Sequence, residues 1–166
     1  MHAAIMAAAR RPEFFVEGGV PDEIGGRFEI YALHAGLALR RCAAGGAATG
    51  EAGRALADAV FDQFDIALRE LGTSDARIAK KMKALGGDLY GRGQAYGAAL
   101  DSGDPAALEA ALARNVYGRA DAPQASALAA YAGAFAAACD AAPPEDFAAG
   151  RIAAPDPAAF LRGGAR

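Results

Sequence analysis

The polar side chains that could take part in chemistry are concentrated on one predicted helix, residues 23–44. Arg27, His34 and Arg41 recur at intervals of seven residues, nearly two helical turns, so they form one strip along the helix. Apolar strips flank it on both sides, which is typical of a helix at the centre of a bundle. Arg27 and His34 are therefore expected to be partly buried, where a charge needs a partner. The strip indicates either a buried ion-pair network or a surface that binds another protein.

The sequence offers little for catalysis. It contains no Gly-x-Ser-x-Gly motif, no cysteine–histidine pairing suggested by spacing and no His-Glu-x-x-His zinc motif. Its histidines are His2, near the terminus, and His34. We therefore expect no enzyme, no metal site and no cofactor. One alternative stays open, a small-molecule or haem-binding helical protein in which His34 is the axial ligand.

An acidic face is predicted on the next helix, residues 51–71. Asp58, Asp62, Asp65 and Arg69 lie opposite the apolar stripe of this helix. One interpretation is a solvated face with a weak pair between Asp65 and Arg69. Another is a cross-helix or partner-facing ion-pair network. A carboxylate metal site is disfavoured because no histidine accompanies the aspartates and Arg69 would repel a cation.

The most basic segment begins a long predicted helix, residues 75–100. Arg77, Lys80, Lys81 and Lys83 cluster in its first turns. Such a charge run is most often simply solvated, and it also suits RNA, anionic lipid headgroups or an acidic protein. The net charge of the chain is −3, so no global basic field drives nucleic-acid binding, and no specific DNA partner is expected.

The composition predicts an all-α fold. Forty-eight of the 166 residues are alanine, the best helix former, whereas valine, isoleucine and threonine together number only twelve. A chain of this length is expected to form one domain with a core of moderate size. We therefore predict a single-domain helical bundle of about six to seven helices over residues 1–150. A flexible tail, residues 151–166, follows it, although Asp156-Pro157 has the composition to begin one more turn.

Local signals give the helix boundaries. The predicted helices cover residues 2–11, 23–44, 51–71, 75–100, 105–117 and 123–142, with a short turn after Pro143. Asp104 caps the helix that begins at Pro105. A small-residue loop is expected at residues 44–50, and a kink is expected at Gly86-Gly87.

The cysteines and the hydropathy pattern indicate the kind of cellular compartment in which the protein is expected. Cys42 and Cys139 occupy apolar helical positions, which indicates buried, reduced thiols and fits a reducing compartment. No signal peptide or transmembrane segment is expected. The most apolar run, residues 125–139, is short and mostly alanine, so a packed helix explains it better than a membrane span.

A series of short motifs extends from Ala8 to Gly118. They are Ala9-Arg10-Arg11-Pro12, Phe14-Phe15, Val20-Pro21-Asp22, Gly26-Arg27-Phe28-Glu29, Leu33-His34, Phe61-Asp62, Asp65, Leu68-Arg69-Glu70, Gly72, Asp75, Lys80-Lys81-Met82-Lys83, Tyr90-Gly91-Arg92 and Arg114-Asn115-Val116-Tyr117-Gly118. In number and order these motifs resemble those of the ubiquinol–cytochrome c chaperone family. Phe15 stands where tyrosine is expected, so any role of that hydroxyl is absent here.

The resemblance implies a role in assembling the cytochrome bc complex, respiratory complex III. Members of the family are assembly factors that bind newly made cytochrome b, stabilise it and pass it on for haem acquisition. The implied partner is cytochrome b or another subunit of the complex. A contact with the ribosome or the membrane surface, and a small partner subunit, are further expectations. The implied location is the bacterial cytoplasm, with peripheral contact to the inner membrane.

Together, the residues and the resemblance predict a helical groove that covers apolar segments of an unassembled membrane subunit. Phe14, Phe28 and Tyr90 are predicted to supply apolar contacts. The residues predicted to supply polar contacts or to hold the shape of the groove are Arg27, Glu29, His34, Arg41, Arg69 and Arg92. Whether Arg27 and His34 are core or contact residues stays open at this point.

The alternative function is a ribosome- or RNA-associated translation factor. It would use the basic helix Arg77–Lys83, with Lys80, Lys81 and Lys83 as contact residues. Steeply salt-dependent RNA binding is the property that distinguishes it.

Overall fold

The computed structural model describes residues 1–162, and this part of the chain contains helices and turns but no strand. Six helices have eight residues or more, and three have five or fewer. They are α1 (His2–Ala9), α2 (Glu13–Val16), α3 (Ile24–Ala44), α4 (Gly46–Glu70), α5 (Asp75–Ser102), α6 (Pro105–Val116), α7 (Gln124–Ala141), α8 (Pro144–Ala148) and α9 (Ala158–Leu161). None of these helices combines the length and the hydropathy that crossing a bilayer requires. The architecture confirms the prediction of an all-α, single-domain helical bundle.

Helix α3 lies at the centre of the bundle because its sequence is apolar on two sides. Every residue from 29 to 38 is buried, and the helix packs against α1, α4, α5, α6 and α7. Apolar residues of this stretch such as Ile30 and Leu37 belong to the main core. Glu29 and His34 are the polar residues enclosed with them. The central position predicted for this helix is confirmed.

Helices α3 and α5 approach closely because glycines meet where they pack together. A Cβ atom added to Gly36 would lie 3.0 Å from the Cα of Gly93, so a side chain there would push the two backbones apart. Helix α5 is continuous through Gly86 and Gly87, and the kink expected there stays a prediction. Gly86 makes room for the ring of Phe61, which would lie 2.9 Å from a Cβ at this position.

The loop expected at residues 44–50 is much shorter in the structure, because α4 begins at Gly46. Gly46 has φ +80°, a conformation that glycine adopts without strain, and it turns the chain directly from α3 into α4. Thr49 is buried in the first turn, and its hydroxyl donates to the carbonyl of Cys42 at 3.3 Å. The small residues of this segment therefore extend a helix, as alanine favours, and the prediction of a loop was wrong.

Helix α6 begins at the residue that the sequence predicts. The carboxylate of Asp104 accepts a hydrogen bond from the backbone N–H of Ala106 at 3.0 Å, and Pro105 is the first helical residue. Proline costs little here because this N–H has no partner within the helix. The predicted N-cap is confirmed.

The last described segment packs onto the bundle. Asp156 forms an ion pair with Arg11 at 2.8 Å and accepts a hydrogen bond from the N–H of Ala158. Leu161 is buried, and the ring of Phe160 contacts Tyr131 edge-on. The expectation of a loosely held tail is therefore corrected for residues 156–161, because apolar side chains anchor them. Residues 163–166 lie outside the described part, and the domain boundary at residue 150 stays a prediction.

Candidate functional site

A groove of about 700 Å³ runs along one side of α3, between this helix, α4 and α5. We call it the α3–α4 groove. The predicted site residues that line it are Arg27, Phe28, Glu29 and Arg92. Three exposed apolar side chains, Ile24, Ile66 and Leu71, also line it. The structure thus brings four predicted site residues together beside an apolar surface.

The inner part of this groove is held by a bidentate ion pair. Arg92 donates from Nε and from Nη2 to the two carboxylate oxygens of Glu29, each at 2.5 Å. Its guanidinium also lies 5.2 Å from the ring centroid of Phe28. The side chains of Glu29 and Arg92 are only 12% and 19% exposed, and the hydrogen bonds to Glu29 raise the pKa of Arg92. These contacts fix the shape of the groove before any partner arrives.

Arg27 lies on the open side of the same groove. Its side chain is 56% exposed and pairs with Asp22 at 2.7 Å. The guanidinium also stacks over the ring of Phe15, 5.1 Å from the centroid, and this contact needs the ring face but no tyrosine hydroxyl. An exposed ion pair contributes little to stability. Arg27 is therefore available to contact a partner.

His34 is fully buried and has a structural role. Its Nδ1 lies 2.7 Å from the carbonyl oxygen of Ile30, which can only accept, so this nitrogen carries the proton. Its Nε2 then accepts from the hydroxyl of Tyr131 at 2.8 Å. Burial lowers the pKa of His34 to about 4, so the ring is neutral at physiological pH. Both nitrogens are engaged, which argues against the haem-ligand alternative and against a partner contact.

Phe14 also belongs to the core and not to a contact surface. It is fully buried, and its ring meets His34 and Tyr131 edge-on, with centroid distances of 5.5 and 5.0 Å. The prediction that Phe14 supplies an apolar contact to a partner is corrected. The sequence marked Tyr131 only as part of a packing stripe, and its role as the hydrogen-bond partner of His34 was missed because the two residues are 97 positions apart.

The burial of His34 predicts a pH-dependent stability. In the unfolded chain the ring takes up a proton near its ordinary pKa of 6.5, whereas the folded protein resists protonation until about pH 4. Stability from this group is therefore present above pH 6.5 and is lost as the pH falls towards 4. We expect the free energy of unfolding to fall by about 2 kcal/mol between pH 7 and pH 5.

Urea unfolding at several pH values measures this loss, and the variant His34→Gln is the control. The pKa of His2 is lowered as well, so part of the slope survives in the variant. The difference between the two slopes isolates His34. Equal slopes would show that the ring is solvated in the native state.

Arg41 lies away from the α3–α4 groove. Its Nε donates to the carbonyl oxygen of Cys139 at 3.3 Å, and its guanidinium lies 5.6 Å from the ring centroid of Phe147. It therefore joins α3 to α7 and α8. Its side chain is directed to these helices, and its predicted role in contacting a partner or holding the shape of a groove stays a prediction.

Arg69 is occupied at the turn between α4 and α5. It pairs with Asp65 at 2.7 Å and with Asp75 at 2.8 Å, and the side chains are solvent-accessible. Within the acidic face of α4, Asp65 thus belongs to a surface ion-pair network that connects α4 with α5 through Arg69. Arg69 does not line the α3–α4 groove. Within residues 1–162, no group of histidine, cysteine, aspartate and glutamate side chains is arranged to hold a metal ion.

Tyr90 lies in a second groove of about 820 Å³, which we call the α3–α5 groove. It is formed by small residues of α3 and α5, including Gly36 and Gly93, and by the partly exposed ring of Phe61. Tyr90 itself is largely exposed. The predicted apolar contacts Tyr90 and Phe28 are therefore in different grooves.

The basic cluster at the start of α5 is exposed. Lys80, Lys81 and Lys83 line neither groove, and no salt bridge involves them in the described part of the chain. Lys81 donates to the hydroxyl of Thr73 at 3.1 Å, which ties it to the turn between α4 and α5. Their surface position leaves these lysines able to meet a charged partner.

Comparisons with known proteins identify the class. A family model described as ubiquinol–cytochrome C chaperone matches residues 16–154. The chain belongs to the ubiquinol–cytochrome c chaperone family, so the resemblance seen in the motifs is confirmed.

A solved structure agrees with this assignment. The crystal structure of the Cbp3 homolog from Brucella abortus is 39% identical in sequence and has a TM-score of 0.86. The match covers 94% of this chain and 87% of that chain. No match to this chain is found among curated proteins.

Proposed function

We propose that the protein is an assembly chaperone of the cytochrome bc complex and that it binds newly made cytochrome b. The family supports the first part of this proposal. The observation that carries the second part is the α3–α4 groove, in which apolar side chains are exposed next to Arg27.

Exposed apolar side chains of this size are concentrated at the two grooves. The large apolar residues most exposed to solvent are Val16, Ile24, Phe61, Ile66, Leu71 and Tyr90. All but Val16 line one of the grooves. Apolar surface gathered in a concave site suits an apolar partner, because binding removes both surfaces from water. A segment of an unassembled membrane protein has this character.

The rigid inner part and the open entrance of the α3–α4 groove have different tasks in this proposal. The Glu29–Arg92 pair and Phe28 keep the groove open without a partner. Binding of a client therefore orders few side chains and loses little conformational entropy. Arg27 at the entrance combines charge with an apolar stem and is exposed enough to meet the client. The protein acts by covering and releasing a segment, and no bond of the client is made or broken.

Arg27→Ala is expected to lower the amount of cytochrome b that copurifies with the protein by about tenfold, because arginine is a frequent interface anchor. Stability is expected to change by no more than about 0.5 kcal/mol, since the pair with Asp22 is exposed. Tagged protein is isolated from host membranes in mild detergent, and its partners are identified and quantified by mass spectrometry.

Arg54→Ala is the matched control, because Arg54 is exposed on α4 and outside the groove. Copurification of cytochrome b without mature complex III, reduced only by Arg27→Ala, supports the proposal. Enrichment of ribosomal proteins without cytochrome b would favour the translation-factor alternative. Equal capture by the wild type and by Arg27→Ala would place the client elsewhere on the surface.

A further inference from the structure

We propose that a second copy of this chain docks on an exposed stripe of α5 and on the α3–α5 groove beside it, so that the two α5 helices lie antiparallel. We call this stripe the α5 stripe. Its residues are Lys83, Gly87, Tyr90, Gln94, Ala98 and Asp101. The surface is separate from the α3–α4 groove, and the proposal does not depend on the identity of the client.

The α5 stripe is one continuous face of the helix. Its residues recur at intervals of three or four positions, so they lie on one side of α5 over about five turns. Each of them is exposed. The members of the stripe from Tyr90 to Asp101 also line the α3–α5 groove. The stripe and the groove therefore form one surface.

The charges at the two ends of α5 match each other when one copy of the helix is reversed. Lys80 and Lys83 lie three residues apart near its start, and Asp101 and Asp104 lie three residues apart at its end and just beyond it. An antiparallel register that pairs Lys83 with Asp101 therefore also brings Lys80 level with Asp104. A twofold axis repeats these pairs at both ends of the contact. Such complementary charges fix the register of an interface.

Lys83 and Asp101 can form this pair without losing contacts within their own copy. Lys83 takes part in no salt bridge in the described part of the chain. Arg40 donates twice to Oδ1 of Asp101, at 3.2 and 2.7 Å, which leaves Oδ2 for another donor. Arg40 also pairs with Asp140 at 3.2 Å, so two carboxylates share one arginine. A further cation is therefore favourable beside Asp101, whose side chain is 64% exposed.

Two glycines on the exposed side of α5 are not required by packing within one copy. A Cβ atom on Gly87 or Gly91 would meet nothing within 4 Å in residues 1–162. Glycine destabilises the interior of a helix relative to alanine, so these positions need another reason. In the register set by the charges, Gly87 is level with Gly97 of the second copy, and Gly91 is level with Gly93. Close approach of two helix backbones accounts for glycine at these positions.

Tyr90 supplies the apolar part of the contact. It is 69% exposed, although it lines a groove. A long side chain on a helix covers the turn that precedes its own Cα, which here carries Gly86 and Gly87. This turn is opposite Gly97 and Ala98 of the second copy in the proposed register. The ring of each copy thus meets small residues that line the groove of the other.

The contact leaves the client groove open. Leu85, Asp88 and Arg92 are the residues of α5 that line the α3–α4 groove, and none of them belongs to the α5 stripe. Each copy in the dimer therefore keeps its own α3–α4 groove. Because the contact is limited to one helix and one groove, we expect a reversible dimer that depends on concentration.

Analytical ultracentrifugation of the full chain over a range of concentrations tests the proposal. We expect the wild type to pass from monomer to dimer and high salt to weaken the dimer. Lys83→Asp and Asp101→Lys are each expected to weaken it about 100-fold, because two ion pairs are replaced by two contacts between like charges. Arg114→Asp makes the same change in net charge as Lys83→Asp on an exposed part of α6 and should leave the dimer unchanged.

A mixture of the two charge variants tests the register. In a mixed dimer the reversed charge of Lys83→Asp faces the reversed charge of Asp101→Lys, and the other pair is native. The two variants, each monomeric alone, are therefore expected to form a dimer when they are mixed. Labelling one variant with a fluorophore shows that the dimer contains both. Recovery of the dimer also shows that both variants are folded.

Gly87→Leu tests the close approach of the two helices. The leucine side chain would hold them apart, so we expect the dimer to weaken by about tenfold. Urea unfolding should show no loss of monomer stability, since leucine favours a helix more than glycine does. Ala55→Leu is the matched control, because Ala55 is exposed on α4 and lines neither groove.

Dimer formation that is lost in each charge variant and restored in their mixture supports the proposal. A wild type that stays monomeric at every concentration would overturn it. A dimer that Lys83→Asp does not weaken, or a mixture that stays monomeric, would do the same. None of these measurements involves cytochrome b or Arg27, so the proposed function can fail or stand independently.

Discussion

Replacing Glu29 by alanine is expected to lower the free energy of unfolding by about 3 kcal/mol. The reason is that the charge of Arg92, which is largely shielded from solvent, loses its main partner. Both hydrogen bonds of the pair are lost, and Asp88 at 3.4 Å is too exposed to replace them. Equilibrium unfolding in urea measures the loss.

The double variant Glu29→Ala with Arg92→Met separates the ion pair from simple packing. Removing both charges and keeping an unbranched apolar side chain at position 92 should recover part of the loss, since no uncompensated charge then remains. Arg27→Ala, two residues away on the exposed side, serves as a control that leaves stability unchanged. A loss below about 0.5 kcal/mol for Glu29→Ala would mean that the pair is hydrated and does not shape the groove.

Phe14→Ala is expected to cost about 4 kcal/mol, within the range found when a buried phenylalanine is truncated. The ring packs against His34 and Tyr131, so its removal leaves a cavity beside their hydrogen bond. The neighbouring Phe15 provides a matched control, because it is only partly buried beneath Arg27. Chemical unfolding of both variants gives the comparison.

The difference in stability loss between Phe14→Ala and Phe15→Ala tests the buried position of Phe14. Phe15→Ala should cost clearly less, since its ring does not fill the core. Phe14→Leu should restore much of the stability that Phe14→Ala loses, because leucine fills part of the cavity. Similar small losses for Phe14→Ala and Phe15→Ala would contradict the buried position of Phe14 and return it to the candidate contact residues.

The fold was predicted well wherever a local signal decides it. Alanine-rich segments with few β-branched residues gave the helices, and Asp104 with Pro105 gave the start of α6. The two errors have a common origin. The small residues at 44–50 and the chain around Asp156 look like loops, but Thr49 and Leu161 anchor them in the core, and such long-range burial is not visible in local composition.

The site was predicted in part for a similar reason. The sequence selected Arg27, Phe28, Glu29 and Arg92, and the structure brings them together. It could not divide the polar residues of α3 into core and surface, because the division depends on distant partners. The burial of Glu29 depends on its ion pair with Arg92, which is 63 positions away in the sequence. A helix with apolar strips on two sides does not reveal such a partner.

The lysine distribution also determines what chemical labelling can report about this protein. All three lysines lie at the start of α5, so a reagent that attacks amines modifies side chains there and nowhere else. Through its side chains, the protein would therefore report to an amine-directed cross-linker only those partners that come within reach of this one patch. Mapping the α3–α4 groove needs a photoreactive amino acid placed at position 27 or a reagent directed at carboxylates.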